Sequence, residues 1–593
     1  MQRLRPLRCV PAAPRVSLVG AGRSLRQASS LGWQCPVSSS SSSSSASSVV
    51  CLHSNKGTRR NFRTSLPSHE AAQTPSAATS SAADMSDPGA MAAAMAAASR
   101  HAPPLDPALL ALPGPSQDVL SMIMAHRDGV GGTADILWDL RQKHGDTLRV
   151  VLGGLPSVAV FNPDHVAQVF RAEGKYPSSL AFDVWKKAQQ EEMKEWLKGN
   201  LFFEEGDEWK RLRNELQKRM LPPLEAQRFI PMFAPLMRDA SAVIAKSMAE
   251  DVPQAERPTL RQFLSRVTIE SIAMALYGKR LGSLDPNGAI PEKTQYFIQN
   301  THHLFDLTVE LEMGAEQRWR MPGATREHCP AYGEMIDCMK NLWIIGTEYL
   351  EETRQTLMEK LQRGELDEDQ LAVSPYLLPY LMSRGENAVS LREITTNVSG
   401  LFLGGVDTTS VSMQWVCYWL AKNPEVQDKL AEELRRELKG GDLNDPEQLR
   451  RLPYLKNVFK ESTRISPATM GTIRTLEEDI QLGEHVIPKK TRIMLLMNLL
   501  GRDANMYPEP KRFEPDRWLT KEEHPFALLP FSFGARMCLG ARLAINETYV
   551  FLARVIQDWN LRLRDPSLEC RPVVKLLTRP EPVPDIVFTP RRM

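Results

Sequence analysis

Apolar positions in this chain recur mostly at helical spacing. The run Ala134-Asp135-Ile136-Leu137-Trp138-Asp139-Leu140 repeats apolar side chains three and four residues apart, which predicts a helix. Leu148–Leu152 and Val158–Phe161 alternate or run apolar on either side of Gly153-Gly154-Leu155-Pro156 and predict a β-hairpin with a short loop. From there to about residue 465, stretches rich in Leu, Met, Glu, Lys and Arg keep the helical period; one runs from about Leu391 to Leu420. Strands and turns return between Gly471 and Arg492, with a turn at Gly483-Glu484-His485. No internal repeat or second linker interrupts this body. The pattern predicts one large domain over residues 101–593, mainly α with small β-sheets.

The first hundred residues follow no such pattern. Ser38–Ser45 is an unbroken serine run, and Ala90–Ala98 is nearly all Ala and Met. Neither offers varied apolar surface to pack, so residues 1–100 are expected to be disordered or removed. Ten basic residues and no acidic one precede Glu70, the composition of a mitochondrial or plastid transit peptide. A basic tail without a targeting role is the alternative. A secretory signal fits poorly, because arginines interrupt any apolar core.

The remaining composition narrows the function. The 593 residues are 42% hydrophobic, enough for a sizeable core, and the net charge of +2 argues against a general nucleic-acid binder. Eight cysteines form no CxxC pair, which argues against a zinc knuckle or a disulfide framework. No apolar run reaches the roughly 18 residues of a transmembrane helix.

One cysteine stands in an informative frame, Phe531-Ser532-Phe533-Gly534-Ala535-Arg536-Met537-Cys538-Leu539-Gly540. A cysteine that ligates iron must be a thiolate, and burial alone opposes its ionisation. Glycines let backbone N–H groups approach the sulfur, and a helix starting after Gly540 points its positive end at it. Arg536 adds a cation able to hold a cofactor carboxylate. The alternative is a buried structural cysteine behind a turn.

At these residues the chain resembles the cytochrome P450s, which implies the P450 fold, haem b as cofactor, Cys538 as axial ligand, and Phe531, Gly534, Arg536 and Gly540 around the haem. The resemblance extends over roughly residues 105–590. Glu461-Ser462-Thr463-Arg464 matches the helical ExxR of that family, and Arg517, in Phe513-Glu514-Pro515-Asp516-Arg517-Trp518, matches the third member of its Glu-Arg-Arg network. The implied role of these three residues is structural, holding the cysteine loop. Trp209-Lys210-Arg211-Leu212-Arg213 fits the WxxxR of the family, so Trp209 and Arg213 face the haem edge, and Arg474 falls where another propionate partner is found.

Gly404-Gly405-Val406-Asp407-Thr408-Thr409 interrupts the pattern of the long helix near Leu391–Leu420. Each glycine costs about 1 kcal/mol against Ala in a helix. Such a stretch predicts either a distorted helix that admits ligand and water or a glycine pair for close helix packing. It matches the oxygen-activation segment of the P450s, which implies haem contact at Gly404 and proton delivery to dioxygen by Asp407 and Thr408. The implied activity is hydroxylation of a C–H bond. A haem-thiolate isomerase without an electron partner and a non-catalytic haem sensor are the alternatives.

No GxGxxG or flavin signature is present, so electrons come from a separate protein. The acid-free basic tail resembles mitochondrial members of the family, which take electrons from a ferredoxin of adrenodoxin type. Lys456, Lys460 and Arg542 match the residues that dock it, whereas Ala541 stands where that pattern usually has a second arginine. The resemblance favours a small lipophilic, sterol- or steroid-like substrate, with fatty or foreign compounds as the alternative, and peripheral contact with the mitochondrial inner membrane. Tyr176–Leu197, Phe402 and Ala468–Thr472 fall where the family lines its substrate pocket. The Asn-x-Ser/Thr sites at Asn397 and Asn546 fall inside predicted helices and are read as chance.

Overall fold

The computed structural model describes residues 106–591, apart from 127–131, 153–154, 179–181, 314–317, 321–323, 386–387 and 520–522. The expected transit segment, the Gly153-Gly154 turn and part of the Tyr176–Leu197 loop lie outside the described residues.

Twelve helices of nine residues or more occur among the described residues: α1 (Thr133–His144), α2 (Pro163–Ala172), α3 (Asp183–Glu191), α4 (Gly206–Met220), α5 (Ile230–Ser247), α6 (Leu260–Tyr277), α7 (Glu292–Met313), α8 (Pro330–Gln362), α9 (Leu391–Lys422), α10 (Pro424–Leu438), α11 (Pro453–Ile465) and α12 (Ala541–Asp558). Four strands make the main sheet, β1 (Thr147–Leu152), β2 (Leu155–Val160), β3 (Thr472–Arg474) and β6 (Arg492–Leu495), in the order β1-β2-β6-β3. Three two-stranded sheets complete the fold: β4 (Ile480–Leu482) with β5 (His485–Ile487), β8 (Arg571–Lys575) with β9 (Leu577–Glu581), and β7 (Trp559–Leu563) with β10 (Ile586–Pro590). The architecture is mainly α with small sheets, as the apolar period requires.

The hairpin is tighter than its sequence suggests. Leu152 pairs with Leu155 and Val151 with Pro156, so only two residues connect the strands. Pro156 is tolerated in β2 because it lies just outside the ladder to β6, which starts one residue later at Ser157 opposite Arg492, so its missing N–H costs no bond on that side.

Helix α9 runs through the helical core. Ser390 and Glu393 form a capping box at its start, and twenty of its residues are buried, Phe402 and Trp415 almost completely. The glycine pair does not break it: the helix is continuous from Leu391 to Lys422. The two glycines do different things. A Cβ on Gly405 would lie 2.8 Å from Ile272 of α6, whereas a Cβ on Gly404 would meet nothing within 4 Å. Gly405 therefore serves close packing, and Gly404 borders open space. Asn397 and Asn546 are buried, donating to Gly199 and Ala226 carbonyls, so their glycosylation motifs are inaccessible in the folded protein.

Candidate active site

The cysteine loop folds back on itself before α12. Cys538 N–H donates to the Phe531 carbonyl at 3.0 Å, and Met537 N–H to Gly534 O at 3.2 Å. This curl needs Gly534 at φ +78°, where a side chain strains the backbone, and a Cβ there would sit 2.3 Å from Glu173 Oε1. Cys538 is an exposed residue by accessible surface, although protein atoms surround it closely. Burial raises its thiol pKa, against which the Gly540 backbone N–H and the Arg213 charge pull it down. Gly540 is the N-cap of α12, so the helix's positive end addresses the sulfur.

Three arginines gather beside this loop. Arg213, one turn after the buried Trp209 on α4, donates from Nη2 to the Met537 carbonyl at 2.8 Å, while its buried Nε has no partner among the described residues. Arg536 stacks 3.9 Å over the Trp209 ring and donates to the Pro177 and Glu204 carbonyls. Burial, with Arg474 and Arg213 nearby, brings its pKa down to about 10. Arg474 donates from Nε to Glu173 at 2.7 Å and from Nη1 to Thr472 and Ile473; its buried Nη2 has no partner among the described residues. Buried N–H groups without partners are costly, and a porphyrin's propionates are acceptors of the right charge. An exposed cysteine beside a backbone N–H and arginines with N–H groups to spare fits a haem.

Glu461, Arg464 and Arg517 come together behind the loop. Arg464 meets Glu461 through two bonds at 2.8 and 2.9 Å, and Arg517 Nε reaches Glu461 Oε1 at 2.8 Å. The other guanidinium corners donate to the carbonyls of Gly501, Pro508, Pro510 and Arg512.

On α9, Thr408 donates its hydroxyl to the Gly404 carbonyl at 2.8 Å, at the accessible stretch of the helix. Asp407 does not share that access. It is fully buried, with Oδ2 held by Arg579 Nη2 at 2.6 Å and Oδ1 3.4 Å from His302 Nε2. Burial alone would raise its pKa; His302 and the guanidiniums of Arg579 and Arg261 outweigh that and hold it at about 2. Arg579, on β9, also binds Asp306 of α7, which reaches solvent. Arg579, His302 and Glu173 carry no sequence motif; they reach these sites only through tertiary packing.

Other expected positions are less open. Phe402 is no pocket wall: it is fully buried, 4.4 Å from the Phe297 ring and packed on Tyr277 and Tyr349. Ala468–Thr472 is half-buried, and the Ala468 carbonyl receives Thr578 N–H. Arg542 is exposed, but Lys456 is half-buried, and Lys460 is engaged with Glu523 and sits 3.9 Å over Trp518. Ala541 is only 3% exposed, so an arginine there would have to thread its way to the surface.

A family model of the cytochrome P450s matches residues 113–584. The chain belongs to the cytochrome P450 family; it is a haem-binding monooxygenase. Among its relatives are the mitochondrial sterol 26-hydroxylase of Mus musculus, 30% identical over 74% of this chain and 81% of that protein, and the mitochondrial cholesterol side-chain cleavage enzyme of Capra hircus, 26% identical over 76% and 83%. The mitochondrial 25-hydroxyvitamin D-1 alpha hydroxylase of Homo sapiens is 28% identical over 81% of this chain and 92% of its own length. These relatives put the chain in the mitochondrial branch, where the enzyme works with an electron-transfer partner, dioxygen and a lipophilic substrate.

Proposed function

We propose that this protein is a mitochondrial hydroxylase of a sterol- or steroid-like lipid, reduced by a ferredoxin of adrenodoxin type. The chemistry rests on the exposed Cys538, whose thiol meets the Gly540 N–H and the Arg213 charge, with Arg474 and Arg536 nearby. The substrate class rests on relatives named for sterol, cholesterol and 25-hydroxyvitamin D. Cys538 would ligate the haem iron; Arg213, Arg474 and Arg536 would hold the propionates, with Trp209, Gly404, Phe531, Gly534 and Gly540 completing the haem site. Bound haem supplies O–O cleavage: one oxygen atom enters the substrate C–H bond and the other leaves as water, consuming two electrons and two protons. Thr408 keeps its hydroxyl oriented on the Gly404 carbonyl, and Asp407 behind it passes protons inward when Arg579 releases it. Glu461, Arg464 and Arg517 fix the loop. Lys456, Lys460 and Arg542 receive an acidic ferredoxin in a salt-dependent encounter. Residues 1–100 act as a transit segment, and the enzyme contacts the inner membrane peripherally.

The deciding experiment titrates the haem-loaded protein with sterols, secosteroids and ecdysteroids and follows the low-spin to high-spin change in haem absorption. A saturable shift with one class identifies the substrate family. Absence of any shift, in protein that binds carbon monoxide normally, overturns the steroid reading in favour of fatty or foreign compounds. Thr408→Ala should then lower product formed per NADPH; unchanged turnover without ferredoxin would favour an isomerase.

A further inference from the structure

Glu173 closes α2 and is buried against Arg474, the two side chains being 5% and 3% exposed and 2.7 Å apart. We propose that Glu173 is a positioning residue of the propionate clamp. It holds Arg474 by its Nε so that Nη2 stays available to a haem carboxylate, and it sets the clamp's net charge to match two propionates.

The geometry of Arg474 carries the first half. Nη1 is taken by Thr472 Oγ1 and the Ile473 carbonyl, and Nε by Glu173, which leaves Nη2 as the corner without a partner among the described residues. The carboxylate makes the charge-assisted bond, roughly twice as strong as a neutral one, and so fixes which corner remains. The end of α2 is itself wedged in place. Phe170 packs edge-on against Phe533 at 5.7 Å and lies under the Arg474 guanidinium at 5.4 Å. Glu173 Oε1 abuts Gly534, so the same carboxyl borders both the arginine strand and the cysteine loop.

Charge carries the second half. Arg213, Arg474 and Arg536 bring three positive charges into one buried neighbourhood, where the Arg536 guanidinium feels Arg474, Arg213 and Glu173. Glu173 reduces that excess to two, equal and opposite to two propionates. Glu205 acts on Arg536 more strongly than Glu173 does, but it is exposed, where solvent and salt screen it, whereas the Glu173 side chain is buried against Arg474. Removing a fixed negative charge beside the haem favours the more electron-rich state.

The test uses the full chain loaded with haem and three variants, Glu173→Gln, Glu173→Asp and Glu173→Ala. Three quantities are read: the reduction potential, the rate of haem transfer to apomyoglobin, and the thermal midpoint. Glu173→Gln keeps an acceptor for Arg474 Nε but loses the charge, so its potential should move positive with haem transfer within about twofold of the parent. Glu173→Ala should also move positive and release haem at least about fivefold faster, while Glu173→Asp returns both values toward the parent. An unchanged potential in Glu173→Gln overturns the proposal, including where its thermal midpoint falls, because Glu173 would then be only a strut. Haem transfer from a folded Glu173→Ala no faster than from the parent overturns it as well. Should Glu173→Ala fail to fold, Glu173→Gln alone decides. None of these readouts depends on the substrate or the ferredoxin.

Discussion

Glu461 and Asp407 are both fully buried helix carboxylates gripped by arginine, and they differ in what completes the grip. Around Glu461, two guanidiniums and a backbone N–H converge on the carboxylate, and four carbonyls take up the remaining guanidinium corners. Around Asp407, satisfaction is partial: Asp407 Oδ1 has only His302 Nε2, at a long 3.4 Å, and Arg579 Nε and Arg261 Nε and Nη2 lack partners among the described residues. A buried charge network fully supplied with hydrogen bonds is rigid, whereas one with spare donors and acceptors invites ordered water or rearrangement. The first cluster suits a strut behind the cysteine loop. The second, with Asp306 at its solvent end, suits a group that must let protons through.

The comparison breaks most visibly at Arg464. Arg464→Gln leaves Glu461 with one cation instead of two, strips the Gly501 and Pro510 carbonyls of their donor and leaves the Arg512 carbonyl only Arg517 Nη2 at 3.4 Å, a loss of about 3–5 kcal/mol. The expected outcome is protein without a normal carbon monoxide difference spectrum and with a collapsed thermal transition. A variant with the parent's spectrum and midpoint would show that the network is not a strut.

Asp407→Asn is the next largest effect, and it falls on turnover. Loss of a positioned proton-transfer group costs about 10²–10⁴ in rate, so product formation should drop while the substrate-induced spin shift persists. Arg579→Gln should uncouple NADPH use from product less severely and destabilise by only about 1–3 kcal/mol, because the cluster is already incomplete. The depressed Asp407 pKa adds stability above the unfolded value near 4 and loses it as pH falls toward 2. Acid unfolding of Arg579→Gln should therefore begin at higher pH than in the parent. If Arg579→Gln matches Arg464→Gln in severity, the contrast between the clusters fails.

How much of this is visible in sequence follows from distance along the chain. Cys538, Gly534 and Arg536 share one loop, and Glu461 and Arg464 one helix turn, so their spacing is readable. Arg517 is readable only because it, too, sits in a recognisable segment. Arg579 lies 172 residues from Asp407, and Glu173 lies 301 from Arg474, with no local pattern to announce either pairing. The glycine pair was ambiguous for a related reason: whether a missing Cβ serves packing or a cleft depends on a neighbouring helix, here Ile272 beside Gly405 and nothing beside Gly404. Phe402 misled because aromatic side chains on a core helix serve packing as readily as a pocket.

Gly534→Ala tests the cysteine loop on a smaller scale. The positive φ costs about 1–2 kcal/mol for a side chain, and the new Cβ also meets Glu173, a carboxylate that cannot swing away without leaving Arg474. Faster haem transfer to apomyoglobin and a lower thermal midpoint are expected, with Glu173→Asp relieving part of the defect in the double variant. Parent-like haem retention in Gly534→Ala would mean that the loop can curl another way.

Glu547 sharpens the comparison with a third buried carboxylate, one that no arginine holds. It lies on α12, 2% exposed; burial pushes its pKa well up, the Ser271 hydroxyl draws it back only in part, and its Oε1 has no partner among the described residues. A carboxyl neutral in the fold and ionised in the unfolded chain binds more protons when folded. Stability is therefore lost as pH rises above the unfolded value near 4, with a slope of at most about 1.4 kcal/mol per pH unit for one proton. Glu547→Gln removes that slope. Its thermal midpoint should equal the parent's near pH 4.5 and exceed it increasingly toward pH 8, with the haem spectrum and turnover unchanged. A constant difference across that range would mean that Glu547 is ionised in the folded protein and has found a partner, which would put it with Asp407 rather than apart from it.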